Sequence, residues 1–485
     1  MTTLTEPTPE HLAELSACLD AGGLIDAASD AALPYFVDPR DVYRGRAAAI
    51  LKPASTGQVA AILRLCHRHR IGVVPYGGGT GLVGAQLSPE DSPAGPRPVV
   101  VALERMNRIR AVLPADGAII AEAGVILADL QAAAEDAGRL FPLSLAAQGS
   151  CRIGGNLATN AGGVQVLRYG TARDLCLGLE AVLADGSVLS GLKPLRKDNT
   201  GYDLRHLLIG SEGTLGVITA ATLKLFPMPG EVVTAMLAVP SPDGAVSLMQ
   251  TLRERLGDGF SAFELIAGQG IAFLAQFYPS RTDPLADRPE WRVLVEITGP
   301  SGGGLTERAE AVLGELFEAG LATDGVLAAN EAQRAHMWWM RETLPECNRR
   351  IGTVATHDIS LPLSGIGRFI AAATETIAGF DAGSGGALRI NCFGHVGDGN
   401  LHYNVFPPKG GRVADYRALA GPVVTAIHDL VDAHGGSISA EHGIGRAKTG
   451  DLEKYGDRTK LAAMRAIKAA LDPLGILNPG AVVAG

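Results

Sequence analysis

Apolar positions along this chain follow two periods, and the change between them divides it. Val59, Ile62, Leu63 and Cys66 recur at helical spacing behind Ser55 and Thr56, which are placed to cap a helix. Short apolar runs predict buried strands at Ala48–Leu51, in IGVVPY, in VVVALE and in AIIAEAG over 118–124. Residues 10–20 read as a short helix, and 126–137 as another closed by Gly138. Leu179–Leu183 and Ser187–Leu189 flank Ala184-Asp185-Gly186, a hairpin signal. Pro227, Pro229 and Gly230 mark a boundary, after which the pattern changes. Strands at 232–239 and 291–298 alternate with helices at 242–256, 305–320, 330–348 and 362–378. That alternation suggests a separate α/β layer with a split βαβ arrangement. Helices at 412–434 and 456–471 close the chain.

Glycine-rich loops punctuate the first part. GSCRIGGNLATNAGGVQVLRYG, over 149–170, combines glycines with Ser150, Asn156, Thr159 and Asn160. Glycines permit positive φ and close approach, and small hydroxyl and amide groups supply short uncharged hydrogen bonds. Arg152 and Arg168 are the segment's cations, so an anion would be held mainly by backbone N–H groups, as a nest holds a pyrophosphate. Gly79, Gly81 and Gly84 spell GxGxxG after a strand, with Glu104 about twenty residues on, the outline of a dinucleotide-binding unit. Such a unit needs a helix directly after the third glycine. Here AQLSPEDSPAGPRP follows, with prolines 89, 93, 96 and 98, so a phosphate loop of another fold is expected. KDNTGYDLRHLLIGSEGTLGVITAATLKLFP (197–227) is a third such segment. Three loops serving one region suit a large cofactor.

Composition narrows the class. The 485 residues are 47% hydrophobic and 19% charged, which allows roughly three domains or subdomains with large cores. The formal net charge of −9 and the lack of a basic block argue against nucleic acid. No apolar run approaches the length of a spanning helix. Six scattered cysteines lack CxxC spacing and read as reduced thiols. With an acidic N-terminus lacking targeting patterns, they lead to the expectation of a cytoplasmic protein.

Metal-ligand chemistry gathers late in the chain. His395 and His402 lie in FGHVGDGNLHYNVF, and Glu441 and His442 in SAEHGIG. His402 and Asn404 share a strand face by alternation, and His395 reaches the same region across a Gly-Asp-Gly-Asn turn. Two imidazoles and a carboxylate with an open position suit a catalytic divalent ion such as zinc. Asp398 reads as a turn residue. His442 is either a further ligand or a general base beside the metal.

PYGGGTGLVG, the 149–170 segment, KDNTGYDL, GSEGTLG, GHVGDGNLHYNV, SAEHGIG and ILNPG together resemble the vanillyl-alcohol-oxidase-type flavoproteins, in their D-2-hydroxyacid dehydrogenase branch. The resemblance covers the chain from about residue 40. It implies an α+β protein: a PCMH-type FAD-binding domain of two subdomains over 1–227, a substrate domain with an antiparallel sheet over 228–430, and a C-terminal helical segment, 431–485, returning to the flavin. Some relatives attach FAD through a histidine in the first glycine loop; Gly79 and Thr80 stand there, so non-covalent FAD is expected. Carried over by motif, the FAD contacts are Pro75, Gly77, Gly78, Gly79, Thr80, Gly81, Leu82 and Gly84 from the first loop. Ser144, Gly149, Ser150, Gly154, Gly155, Asn156, Thr159, Asn160, Gly163, Tyr169 and Gly170 follow from the second. Glu212, Gly213, Gly216, Ile218 and Asn478 complete the set. His395, His402 and Glu441 would bind the metal, His442 would be the base, and Arg341 in WWMRET would grip the substrate carboxylate, with Asn404 and Thr356 beside the substrate. The implied reaction oxidises a D-2-hydroxyacid, D-2-hydroxyglutarate first among them, by hydride transfer to flavin. Electrons would pass on to electron-transfer flavoprotein, a quinone or a cytochrome, and a homodimer is the commonest assembly.

Two positions depart from the hydroxyglutarate pattern. Thr356, in THDIS, stands where a lysine usually pairs with the distal carboxylate, and Pro345 where a threonine is usual. Losing such a partner costs about 1.5–3 kcal/mol. His357, Arg349 or Arg350 could compensate, or the substrate could be a monocarboxylate such as D-lactate, as in glycolate-oxidase-like relatives, with Trp338 and Trp339 lining the pocket or simply packing a helix. A flavoprotein subunit without turnover is a third reading, which His442 and Arg341 oppose.

Overall fold

The computed structural model describes residues 3–89, 95–380 and 386–483. The chain divides into two compact units, one of Met1–Gly162, Gly170–Met228 and His442–Gly485, the other of Gly163–Tyr169 and Pro229–Glu441.

The first unit carries two sheets. In the smaller, strands Ala49–Leu51, Val99–Ala102 and Val73–Tyr76 run parallel, and Leu24–Asp26 adds an antiparallel edge. Helix Thr56–His69 makes the crossover and buries its stripe of Val59, Ile62, Leu63 and Cys66. Ser55 caps it, its hydroxyl accepting the Gln58 N–H, a device worth about 1 kcal/mol. The larger sheet is antiparallel, in the order Ile109–Leu113, Ala118–Glu122, Val217–Lys224, Cys176–Val182, Val188–Gly191. Its last two strands form the expected hairpin, with Gly186 at φ +82° and Asp185 accepting from Ser187. Near the C-terminus, helix Arg458–Leu471 leads to Leu477, which bridges Val73 in parallel.

The second unit is built on a seven-stranded sheet, ordered Asp324–Leu327, Glu231–Val239, Trp291–Gly299, Phe260–Ala267, Arg389–Gly394, Asn400–Phe406, Ala355–Ser360. Every neighbouring pair is antiparallel. Helix Pro242–Leu256 joins Glu231–Val239 to Phe260–Ala267, and Trp291–Gly299 lies between those two strands, which is a split βαβ unit. Strand Phe260–Ala267 and helix Gly268–Phe277 escape the sequence reading, because a mostly apolar stretch broken only at scattered polar positions shows neither period. Helix 412–434 is shorter than expected, Arg417–Ala433, preceded by a single 3₁₀ turn.

Registry puts Met236, Leu294, Ile266, Phe393 and Phe406 on one face of this sheet. They form a core with Met337, Met340 and Leu344 of helix Glu331–Ile351. The same face carries Glu296, Glu264 and Asn391, and each fixes one turn of that helix. Arg334 and Trp338 donate to Glu296, Arg341 donates to Glu264, and Asn391 donates to Asn348.

Candidate active site

In the first unit, Gly77 to Pro89 contains no helix, which excludes the dinucleotide-binding motif; residues 90–94, with Pro93, lie outside the described residues. The loop instead lies backbone to backbone against the second glycine segment. A Cβ on Gly78 would stand 2.2 Å from the Ser150 carbonyl oxygen, and one on Gly77 3.4 Å from Cα of Gly155. Gly79 turns at φ +72°, where a Cβ would meet the Tyr76 hydroxyl at 2.0 Å. Helix Ile153–Ala158 presses Gly154 onto Ala123 and buries Asn156, whose Nδ2 meets no nitrogen or oxygen acceptor among the described residues and has only the Cys151 thiol beside it. An amide donor left unmade costs about 1–3 kcal/mol. A buried donor beside bare glycine backbone fits a phosphate-bearing ligand such as FAD. Gly149 and Ser150 are exposed and Ser144 half-buried.

Glu212 and Asn478, both expected to contact FAD, also hold the protein together. Both adopt left-handed φ, and their side chains are occupied within the protein. The Glu212 carboxylate accepts the Ile444 and Gly445 N–H groups, each at 2.8 Å, and burial pushes its pKa up. Asn478 Nδ2 donates to the Ala85 and Glu212 carbonyls, while its Oδ1 accepts from Arg446. Arg446 also donates to the Gly84 and Ala85 carbonyls. It clamps the first glycine loop, and sequence reasoning missed it because its partners, two loop carbonyls and the Asn478 side chain, are distant in the sequence. Gly163 and Tyr169 fall in the second unit.

In the second unit, His395, His402 and Glu441 bring ligand atoms within 4.8 Å of one another. His395 Nε2 lies 3.5 Å from Glu441 Oε1, and His402 Nε2 4.0 Å from Glu441 Oε2. His395 directly follows strand Arg389–Gly394, His402 sits within Asn400–Phe406, and Gly399 turns between them at φ +87°. Glu441 is held from two sides: Gly163 N–H donates to its carboxylate at 2.9 Å, and its own N–H donates to Asp358 Oδ2 at 2.9 Å. Asp398 stays out of the cluster and accepts from Asn400 N–H; burial pushes its carboxyl up to about 6.

Behind His395 stands a carboxylate that the sequence reading did not single out. Glu264 is fully buried; Oε1 lies 2.6 Å from His395 Nδ1, and Oε2 accepts from Arg341 Nε at 2.7 Å. Burial alone would raise the Glu264 carboxyl, but His395 and Arg341 outweigh it and hold it near 2. Burial likewise opposes a charged His395, yet Glu264 and Glu441 lift its pKa to about 9. The surroundings thus favour positive charge where the three ligands meet. Two imidazoles and a carboxylate are a donor set that suits a divalent ion. The Arg341 guanidinium also lies 4.9 Å over the Phe393 ring.

Asn404 is buried and registers between Asn391 and Thr356, which is exposed. Alternation sends His357 to the opposite face, where it meets the Tyr403 and His428 rings and the Tyr403 carbonyl. It cannot stand in for a cation at Thr356. Arg350 lies 4.0 Å over Phe277 and pairs with Glu346. Trp338 binds Glu296 and Trp339 packs on Tyr278 and His336, as helix packing requires. His442, half-buried, follows Glu441 directly.

Comparison with known proteins identifies the class. Residues 228–482 match the FAD linked oxidases, C-terminal domain, and residues 47–191 match an FAD binding domain. The chain belongs to this family of FAD-linked oxidases. It is 39% identical over 447 residues to the mitochondrial D-2-hydroxyglutarate dehydrogenase of Bos taurus, covering 92% of this chain and 78% of that one. It is 33% identical to a D-2-hydroxyglutarate–pyruvate transhydrogenase of Saccharomyces cerevisiae, covering 90% and 86%. In structure it matches p-cresol methylhydroxylase with a TM-score of 0.75 at 15% identity, covering 100% of this chain and 99% of that one. Within the family the chain is an FAD-dependent D-2-hydroxyacid dehydrogenase. The cytoplasmic expectation is corrected: relatives from several organisms are named as mitochondrial. Reduced thiols mark a reducing environment, which does not single out the cytosol. Among the described residues no helix is long and apolar enough to cross a membrane.

Proposed function

We propose that this enzyme oxidises D-2-hydroxyglutarate, with a divalent metal ion held by His395, His402 and Glu441. The observation that carries the reading is the joint fixing of His395 and Arg341 on Glu264, beside Glu441. It supports the reading because one carboxylate binds both a proposed metal ligand and the proposed grip for the substrate carboxylate. When bound, FAD supplies the acceptor for the hydride leaving carbon 2, and the ion supplies positive charge that acidifies the substrate hydroxyl. Arg341 holds the carboxylate on carbon 1. Asn404 offers its amide along the substrate. His442 takes the hydroxyl proton as general base, so the alcohol loses one proton and one hydride and becomes the 2-oxo acid. The glycine loops and Asn156 keep FAD in place without a covalent bond.

Thr356 favours a second reading. An exposed hydroxyl where a lysine would meet a distal carboxylate suits a monocarboxylic substrate such as D-lactate. Anaerobic titration of the yellow protein, following loss of flavin absorbance, separates the two. Bleaching by D-2-hydroxyglutarate supports the first reading and bleaching by D-lactate alone the second. Neither bleaching the flavin, with zinc added, refutes both. The electron acceptor is proposed to be a separate carrier, and turnover with each candidate acceptor tests that.

A further inference from the structure

Glu264 touches both halves of the proposed chemistry, although it is neither a ligand nor a grip for substrate. It lies in the middle of strand Phe260–Ala267, every residue of which is buried. A carboxylate there is expensive unless fully paired. Both its oxygens are committed: one at 2.6 Å from His395 Nδ1, the other accepting from Arg341 Nε at 2.7 Å. The strand fixes Glu264 from below, and helix Glu331–Ile351 brings Arg341 from above, tied down on either side by the Glu296 and Asn391 clips. A hydrogen on His395 Nδ1 pointing at Glu264 leaves the Nε2 lone pair facing Glu441, 3.5 Å away. A ligating histidine needs that arrangement, and a carboxylate on its far nitrogen sets the tautomer and raises ligand basicity.

We propose that Glu264 is a positioning residue coupling the metal site to the substrate grip: one carboxylate aims His395 Nε2 at the ion and Arg341 at the substrate carboxylate. The inference rests on the metal reading above, and the test keeps their failures apart. Zinc affinity is measured by competition with a chromogenic chelator for the wild type, Glu264→Gln, Glu264→Asp and Glu296→Gln, with the folded state of each checked by circular dichroism. Glu296→Gln removes the other acidic clip of the same helix and serves as the structural control.

Glu264→Gln is expected to weaken zinc binding about 10–100-fold, Glu264→Asp less than Gln because the charge is kept, and Glu296→Gln not at all. Glu264→Gln binding zinc as tightly as the wild type overturns the positioning role alone. So do equal losses in Glu264→Gln and Glu296→Gln, which would reduce the effect to helix docking. Should Glu264→Gln not fold, Glu264→Asp decides: wild-type zinc affinity in it overturns the proposal, weakened affinity supports it. A wild type that takes up no zinc overturns the metal reading, and this inference with it.

Discussion

At the scale of single residues, the site separates groups that do chemistry from groups that hold them. His442 belongs to the first kind in our reading, as the proton acceptor. Replacing it with Asn is expected to lower kcat by 10²–10⁴-fold while the protein stays yellow; stopped-flow flavin reduction at saturating substrate is the measurement, and wild-type reduction would remove His442 from the mechanism. Glu122 belongs to the second kind. Its carboxylate is buried in the larger sheet of the first unit and takes hydrogen bonds from Arg108 and Arg110. Burial pushes its pKa up, but those bonds prevail and hold it below the ordinary 4.5. A depressed folded pKa means that the stabilisation is complete above the unfolded value and is lost as pH falls through the folded one. Glu122→Gln should therefore cost about 2 kcal/mol at pH 7, the worth of charge-assisted bonds. The urea midpoints of variant and wild type should converge below pH 4.5. A gap that persists undiminished into acid would show that packing, and not charge, makes the difference.

At the scale of elements, the first glycine loop depends on a clamp. Arg446 donates to the Gly84 and Ala85 carbonyls and to Asn478 Oδ1, so one guanidinium fixes the end of the loop and the C-terminal ILNPG segment together. Arg446→Met keeps the apolar stem and removes five donors. It is expected to raise the dissociation constant for FAD at least 10-fold, read as flavin lost on gel filtration, with little change in far-ultraviolet dichroism. FAD retention equal to the wild type would mean the loop holds its shape unaided. The glycine loops themselves were legible in the sequence because spacing alone carries them: glycines, small polar residues and a forbidden helix. Arg446 and Glu264 were not. Each acts through partners at least thirty residues away, and no local period announces a long-range hydrogen bond. The helix cap at Ser55 and the hairpin at Asp185-Gly186 were legible for the opposite reason, since every partner lies within four residues. Strand Phe260–Ala267 was lost between these cases, its apolar run hiding both its type and its one carboxylate.

At the scale of the whole molecule, order along the chain and membership of a unit part company. The first unit is assembled from three stretches, and seven residues of the second glycine segment, Gly163–Tyr169, belong to the other unit. There Gly163 donates to Glu441, so one motif furnishes backbone to the proposed flavin loops and to the proposed metal ligands. Glu441 and His442 likewise end one unit and resume the other. FAD and the metal ion should therefore depend on different side chains: flavin on the glycine loops, Asn156 and Arg446, the ion on His395, His402 and Glu441. Removing the ion is then expected to silence the enzyme without emptying it. Dialysis against a strong chelator should leave the flavin spectrum and the flavin-to-protein ratio unchanged. It should also lower the rate of anaerobic flavin reduction by substrate at least 100-fold, and stoichiometric zinc should restore that rate. His402→Ala should reproduce the chelated state and resist rescue by zinc. A chelated enzyme that still bleaches at the wild-type rate would leave Arg341 and His442 to activate the hydroxyl alone, and the three converging ligands would then need another purpose.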